Sequence, residues 1–227
     1  MAQNPIKYIF FCLILANFQA FGQKLKIVEK PIILDSTRRA LSLEYLKIRH
    51  GITQKEPTIK PKMIVCHWTA IPTFEKSFAA FLSPKLPNWR PELQNASQLN
   101  VSAHYLVDRD GTVYHLLPDT ILARHVIGLN YCALGIENVG NGTNLRLTEE
   151  QFEANYLLIK HLQKKFKIKY LIGHHEYTKF RDSNLWKETD PNYETTKTDP
   201  GDEFMNRLRK KFKKLKKEPT HQDNFQN

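Results

Sequence analysis

Val101-Ser102-Ala103-His104-Tyr105-Leu106-Val107, then Asp108-Arg109-Asp110-Gly111, then Thr112-Val113-Tyr114-His115-Leu116-Leu117 is the stretch that decides the fold. Two apolar runs joined across an Asp-Gly pair are a strong β-hairpin signal. Outward from it lie further strands. Met63 to Trp68, after Pro61, is a short apolar run that suits a buried strand. Ala133 to Val139 is a second, ended by Gly140 and Gly142, and Tyr170 to Ile172 a third, ending at Gly173. Helical segments alternate with them. Residues 38–49 place Leu41, Tyr45 and Ile48 on one face, and Phe74 to Leu82 is closed off by Pro84. Thr148-Glu149-Glu150-Gln151 is a capping box, followed by Phe152, Tyr156, Ile159, Leu162 and Phe166 at helical spacing. A last helix carries Phe204, Leu208, Phe212 and Leu215 on one face. Strands mixed with helices in this order predict an α/β fold: a single domain with a central mixed β-sheet flanked by helices. Lys85 to Asn100 reads as a long surface loop, and residues 175–196 are largely polar without a clear period.

The chain has 227 residues, 41% hydrophobic and 25% charged, which allows a sizeable core and argues against disorder over most of its length. The net charge of +11 is uneven. Arg207 to Lys217 holds eight bases and no acid, so the remainder carries only +3. An enzyme of nucleic acid would carry its charge on the domain itself, interleaved with aromatics. Composition therefore argues against a nucleic-acid partner. The basic stretch reads as a docked helix with a solvated charged face, and that charge also suits contact with an anionic surface, lipid or wall polymer.

Residues 1–22 contain one base, Lys7, and no acid, with an apolar run of nine from Tyr8 to Ala16 and small residues at Ala20 and Gly22. This predicts a signal peptide over 1–22 and an exported protein, periplasmic or secreted, beginning at Gln23. Nine apolar residues fall short of the roughly 20 that span a bilayer. Removal of that segment leaves Cys66 and Cys132, both in apolar surroundings. They could pair or remain buried thiols; two cysteines are no disulfide framework.

Nine histidines give no selection by number, so position must supply it. His67 lies near the end of an apolar strand, His174 follows Gly173 at the end of another, and Asp199 sits in Lys197-Thr198-Asp199-Pro200-Gly201. Two imidazoles and a carboxylate at the ends of separate elements suit a three-ligand zinc site with one position open for water. At such long spacing, satisfied structural histidines would suit the pattern as well. Glu137, inside Gly135-Ile136-Glu137-Asn138-Val139, is either a half-exposed strand residue or a buried acid with a task. Facing a metal, it could take a proton from bound water. Lys197 could stabilise an oxyanion at the same place or be a solvated loop lysine.

Taken together, Val65-Cys66-His67-Trp68-Thr69-Ala70, Ser102 to Val107 with Asp110-Gly111, Ala123-Arg124-His125, Gly135-Ile136-Glu137, Gly173-His174 and Lys197-Thr198-Asp199-Pro200-Gly201 resemble, in this order, the zinc-dependent N-acetylmuramoyl-L-alanine amidases, relatives of the animal peptidoglycan recognition proteins. The resemblance covers roughly residues 60–205. It implies that His67, His174 and Asp199 bind zinc (Zn2+), that Glu137 and Lys197 are the catalytic pair, and that His125 contacts substrate or intermediate. It implies peptidoglycan or muropeptides as partner and hydrolysis of the bond between N-acetylmuramic acid and L-alanine. A non-catalytic peptidoglycan-recognition module is the alternative. His175, directly after His174, is the other candidate for the second imidazole ligand, whereas His104 and His115 in the hairpin are expected to be structural. The expected organisation is a signal peptide over 1–22, an N-terminal extension with a helix over 23–60, an amidase domain over 61–206 and a basic helix and tail over 207–227.

Overall fold

The structure is a computed structural model that describes residues 24–88 and 91–220. The expected signal peptide lies outside the described residues. Six strands form one mixed sheet: β1 (Ile27–Glu29), β2 (Met63–Trp68), β3 (Tyr105–Val107), β4 (Val113–His115), β5 (Ala133–Asn138) and β6 (Tyr170–Gly173). Their order is β1-β4-β3-β5-β2-β6. Only the hairpin pair β3 and β4 is antiparallel; β5 and β6 flank β2 in parallel. The helices are α1 (Ser36–His50), α2 (Phe74–Leu82), α3 (Pro91–Gln94), α4 (Glu149–Lys165) and α5 (Asp202–Lys211). This is the α/β architecture the sequence predicts.

Local chemistry sets the boundaries. Asp35 caps α1 by accepting from the Arg38 N–H, and Gly51, at φ +64°, ends it in the left-handed region. The Thr148–Gln151 capping box starts α4. Gly111, at φ +82°, turns the hairpin, with its N–H donating to the Asp108 carbonyl.

Alternation along the strands sorts side chains to two faces. Ile64, Cys66, Leu134, Ile136 and Leu171 pack in a cluster with Leu158, Ile159 and Leu162 of α4 and Met205 and Leu208 of α5. Each fully buried leucine or isoleucine there contributes about 1.5–3 kcal/mol of transfer free energy. On the other face, Met63, Val65, Ala133 and Ile172 pack with Val126, Ile127, Leu129, Tyr177 and Phe180. Continuing that second face by one step puts His67, Glu137 and His174 side by side at the carboxyl ends of adjacent parallel strands.

Four regions differ from the sequence reading. The N-terminal extension supplies an edge strand as well as a helix, because β1 pairs with β4. Among the described residues of the 85–100 segment, Leu86, Ala96, Ser97, Leu99 and Asn100 are buried. Arg124 donates to the carbonyls of Leu93, Ser97 and Leu99, and the Asn100 amide donates to those of Ala80 and Ser83. Polar residues here satisfy buried backbone instead of meeting water. Within 175–196, a 3₁₀ segment (His174–Phe180) buries Tyr177 and Phe180. The last helix begins at Asp202, so position 206/207 falls inside it; beyond it Leu215 is buried and Lys216 bridges to Tyr170. Cys66 and Cys132 are buried free thiols, each pushed up to about 12 by burial.

Candidate active site

His67 enters from β2, Glu137 from the neighbouring position of β5, and His174 from the end of β6. Asp199 arrives from a turn whose peptide to Pro200 is cis. The His67 Nδ1 lies 3.0 Å from the His174 Nδ1 and 3.1 Å from the Asp199 Oδ2, and the His174 Nδ1 lies 3.2 Å from that same oxygen. All three residues are buried, at 2%, 9% and 8% exposure.

A second hydrogen-bond chain assigns the protons of His67. The His125 Nε2 is 3.2 Å from the Ala133 carbonyl, which can only accept. His125 therefore donates from Nε2 and offers Nδ1 as an acceptor. The His67 Nε2, 3.1 Å away, donates to it and keeps its own Nδ1 bare. Burial, with the neighbouring imidazoles adding to it, lowers the His125 pKa well below the ordinary value, consistent with a neutral ring. Gly135 makes this possible: a Cβ there would stand 2.8 Å from the His125 ring.

The bare His67 nitrogen and a carboxylate oxygen, both acceptors, thus face each other at 3.1 Å and call for a shared positive charge. Burial works to raise the Asp199 carboxyl, but the adjoining His174 and His67 imidazoles outweigh it and hold it far below the usual carboxylate range. Burial, reinforced by His67, lowers His174 to about 4, so it is neutral at pH 7. An ionised carboxylate and two neutral imidazoles converging within 4.8 Å are the donor set a divalent metal takes.

His175 is occupied elsewhere. Its Nδ1 and its backbone N–H both engage the Asp199 carbonyl, at 2.9 and 3.0 Å, and its Nε2 contacts Asp202. It fixes the turn that carries Asp199. Gly173 leaves room for the His175 ring, 2.6 Å from where a Cβ would be. Gly173 also donates its N–H to Glu176, which Arg209 pairs at 2.7 Å.

Glu137 and Lys197 line the same cleft, of about 290 Å³. The Glu137 Oε2 is buried without a hydrogen-bond partner. Burial raises the Glu137 pKa to about 7; the Asp199 charge adds to that, while His67 and Lys197 oppose it. His125 also lines the cleft, beside its contact with His67. All six residues singled out in the sequence therefore meet in one place.

Other residues of this site carry no motif. Tyr45 of α1 lines the cleft, as do Tyr193 and Thr195 of the 181–197 segment. Arg49 holds that segment through Glu188 at 2.8 Å and by stacking 4.3 Å from the Tyr193 ring. The apolar face of the first helix was the sequence signal for Tyr45; nothing local signals the rest. His104 and His115 are structural, bonded to backbone groups and to the Glu29 carboxylate respectively.

Fold and site together define an α/β protein with a buried His-His-Asp group able to hold a metal ion. The chain belongs to the N-acetylmuramoyl-L-alanine amidase family, whose model matches residues 57–202. Its broad function is therefore cleavage or recognition of peptidoglycan. Among solved structures, the fold is similar to N-acetylmuramoyl-L-alanine amidase LysC from Clostridium intestinale, with 22% identity and a TM-score of 0.53 over 84% of this chain and 99% of that one. The endolysin amidase LysCS of the same organism gives 20% identity and a TM-score of 0.53, covering 86% and 99%. Bumblebee PGRP-SA gives 15% and 0.52, also covering 86% and 99%. No curated protein matches the chain.

Proposed function

We propose that the protein is a zinc-dependent N-acetylmuramoyl-L-alanine amidase, hydrolysing the amide between the lactyl group of N-acetylmuramic acid and L-alanine in peptidoglycan or muropeptides. The observation that carries this is the meeting of three buried metal-ligating side chains beside a buried, unpartnered carboxylate oxygen. His67, His174 and Asp199 are the zinc ligands. Zinc held there would polarise the scissile carbonyl and lower the pKa of a water molecule to about 7.

Glu137 is the general base: its bare Oε2 takes the proton from the attacking water, and the protonated carboxyl then passes it to the leaving amine nitrogen. A carboxyl held near 7 exchanges a proton in both directions at neutral pH. The Lys197 ammonium stabilises the negative charge that develops on the carbonyl oxygen. His125 holds the His67 ring by accepting its proton and, from its place in the cleft wall, contacts the substrate or the intermediate. Export by residues 1–22 would bring the enzyme to a substrate that lies outside the cytoplasm.

The test is mass spectrometry of muropeptides after incubation with the protein. Stem peptides with a new L-alanine N-terminus, absent with a zinc chelator, are the expected products. Muropeptides that co-purify uncut would instead indicate a recognition module, and cleavage within the stem would refute the bond assigned here.

A further inference from the structure

The pole of the molecule opposite the cleft carries more positive charge than the fold requires. β5 and β6 both run parallel to β2, so α4 between them must return the chain from the cleft end of the sheet to the opposite end. There three segments are stitched side by side. The Lys169 N–H donates to the Lys62 carbonyl at 2.8 Å, and the Lys216 N–H donates to the Lys169 carbonyl at 3.0 Å. Lys62 and Lys169 thus stand next to each other on adjacent strands, a like-charge pairing that repulsion disfavours, and Lys216, in register with Tyr170, follows on the outer side.

Two more lie on the helices that cover this sheet. Lys160 of α4 and Lys211 of α5 sit over the same Tyr156 ring, at 5.1 and 5.7 Å from its centroid. Lys164 in the last turn of α4, Lys167 just after it, and Lys213 and Lys214 just after α5 are exposed. Two acids near these segments are already engaged: Asp119 by Lys165, and Glu218 by Lys179 at 4.0 Å. Lysines in the last turn of a helix offset its dipole, which accounts for Lys164 and Lys165 but not for the tail.

We propose that this pole is a docking surface for an anionic phospholipid bilayer. The lysines are spread over helix ends and the segment beyond α5 and are not gathered in a pocket, a distribution that suits a flat, multivalent anionic surface. A half-buried tyrosine between long lysine side chains is also the mixture that settles at headgroup level. Docked this way, the protein presents its cleft away from the membrane. This inference is independent of the proposed zinc chemistry.

The test is co-sedimentation of the full chain with vesicles of phosphatidylcholine alone and of equimolar phosphatidylcholine and phosphatidylglycerol. The difference between the two is read, because an apolar segment elsewhere in the chain adds equally to both. Preferential binding to the anionic vesicles, weakening as salt shortens the Debye length, is expected. Each of Lys164→Gln, Lys167→Gln, Lys213→Gln and Lys214→Gln should lower the partition coefficient roughly fivefold. The combined variant should approach the phosphatidylcholine baseline while retaining the wild-type midpoint of urea unfolding. Equal binding to both vesicles, undiminished binding by the combined variant, or binding to a soluble anionic wall polymer with none to vesicles would each overturn the proposal.

Discussion

His67 and His104 lie on either side of His125, with ring centroids 5.1 and 6.1 Å from it, and both are almost fully buried. They differ in what their nitrogens do. The His104 Nε2 donates to the Ile121 carbonyl and its Nδ1 accepts from the Gly135 N–H, so the backbone uses both. His67 spends one nitrogen on His125 and aims the other at His174 and Asp199. Burial therefore does not separate a structural histidine from a ligand. An unspent lone pair does.

The largest expected effect falls on the unspent nitrogen. His67→Ala should abolish zinc binding and lower amidase activity on the order of 10⁴-fold or more, because the Lewis acid and the acidified water are lost together. Zinc retained at full stoichiometry would place the ligand elsewhere. Glu137→Gln comes next: kcat should fall about 10²–10⁴-fold, with the zinc content unchanged by elemental analysis. His104→Ala should do the reverse. It leaves the Ile121 carbonyl and Gly135 N–H unpaired, so urea unfolding should show a loss of about 2–4 kcal/mol, with zinc stoichiometry kept.

His125→Phe sharpens the contrast from between the two rings. It removes the acceptor that orients His67 and should weaken zinc about 10–100-fold, read by competition with a chromophoric chelator. The buried structural ring also has a signature in the pH dependence of stability. Burial lowers both His104 and His50 to about 4. The unfolded chain, with histidines near 6.5, binds more protons between those values. Stability of the metal-free protein should thus fall as pH drops from about 6.5 to 4, by up to about 1.4 kcal/mol per pH unit for each histidine. A flat profile over that window would mean these rings are not buried neutral.

Much of the frame was legible because its signals are local. The Asp-Gly turn marked the hairpin, the Thr148 capping box marked α4, and apolar runs bounded by Pro61 and by Gly140 marked β2 and β5, which pair residue for residue. The candidate site was legible only as a set of motifs in order, since His67 and Asp199 are 132 residues apart and no spacing rule joins them. Contacts that exist only after folding stayed hidden. Arg38 is one: its buried guanidinium donates to the carbonyls of Ile33, Phe81, Leu82 and Ser83 and ties α1 to the end of α2. The three residues of β1 are another, too short to show a period and recognisable only by their pairing with β4. The support that His125 gives to His67 depends on the space above Gly135, which no local pattern announces.

The central claim is that an acceptor set waits for one cation and that catalysis follows it. The most direct test measures zinc content and release of L-alanine stem peptides in the same preparation, as purified, after chelation and after stepwise return of zinc. Activity should vanish with the metal and recover in proportion, saturating at one zinc per chain. Full hydrolysis without zinc, or a zinc-loaded protein that releases no stem peptide, would contradict it.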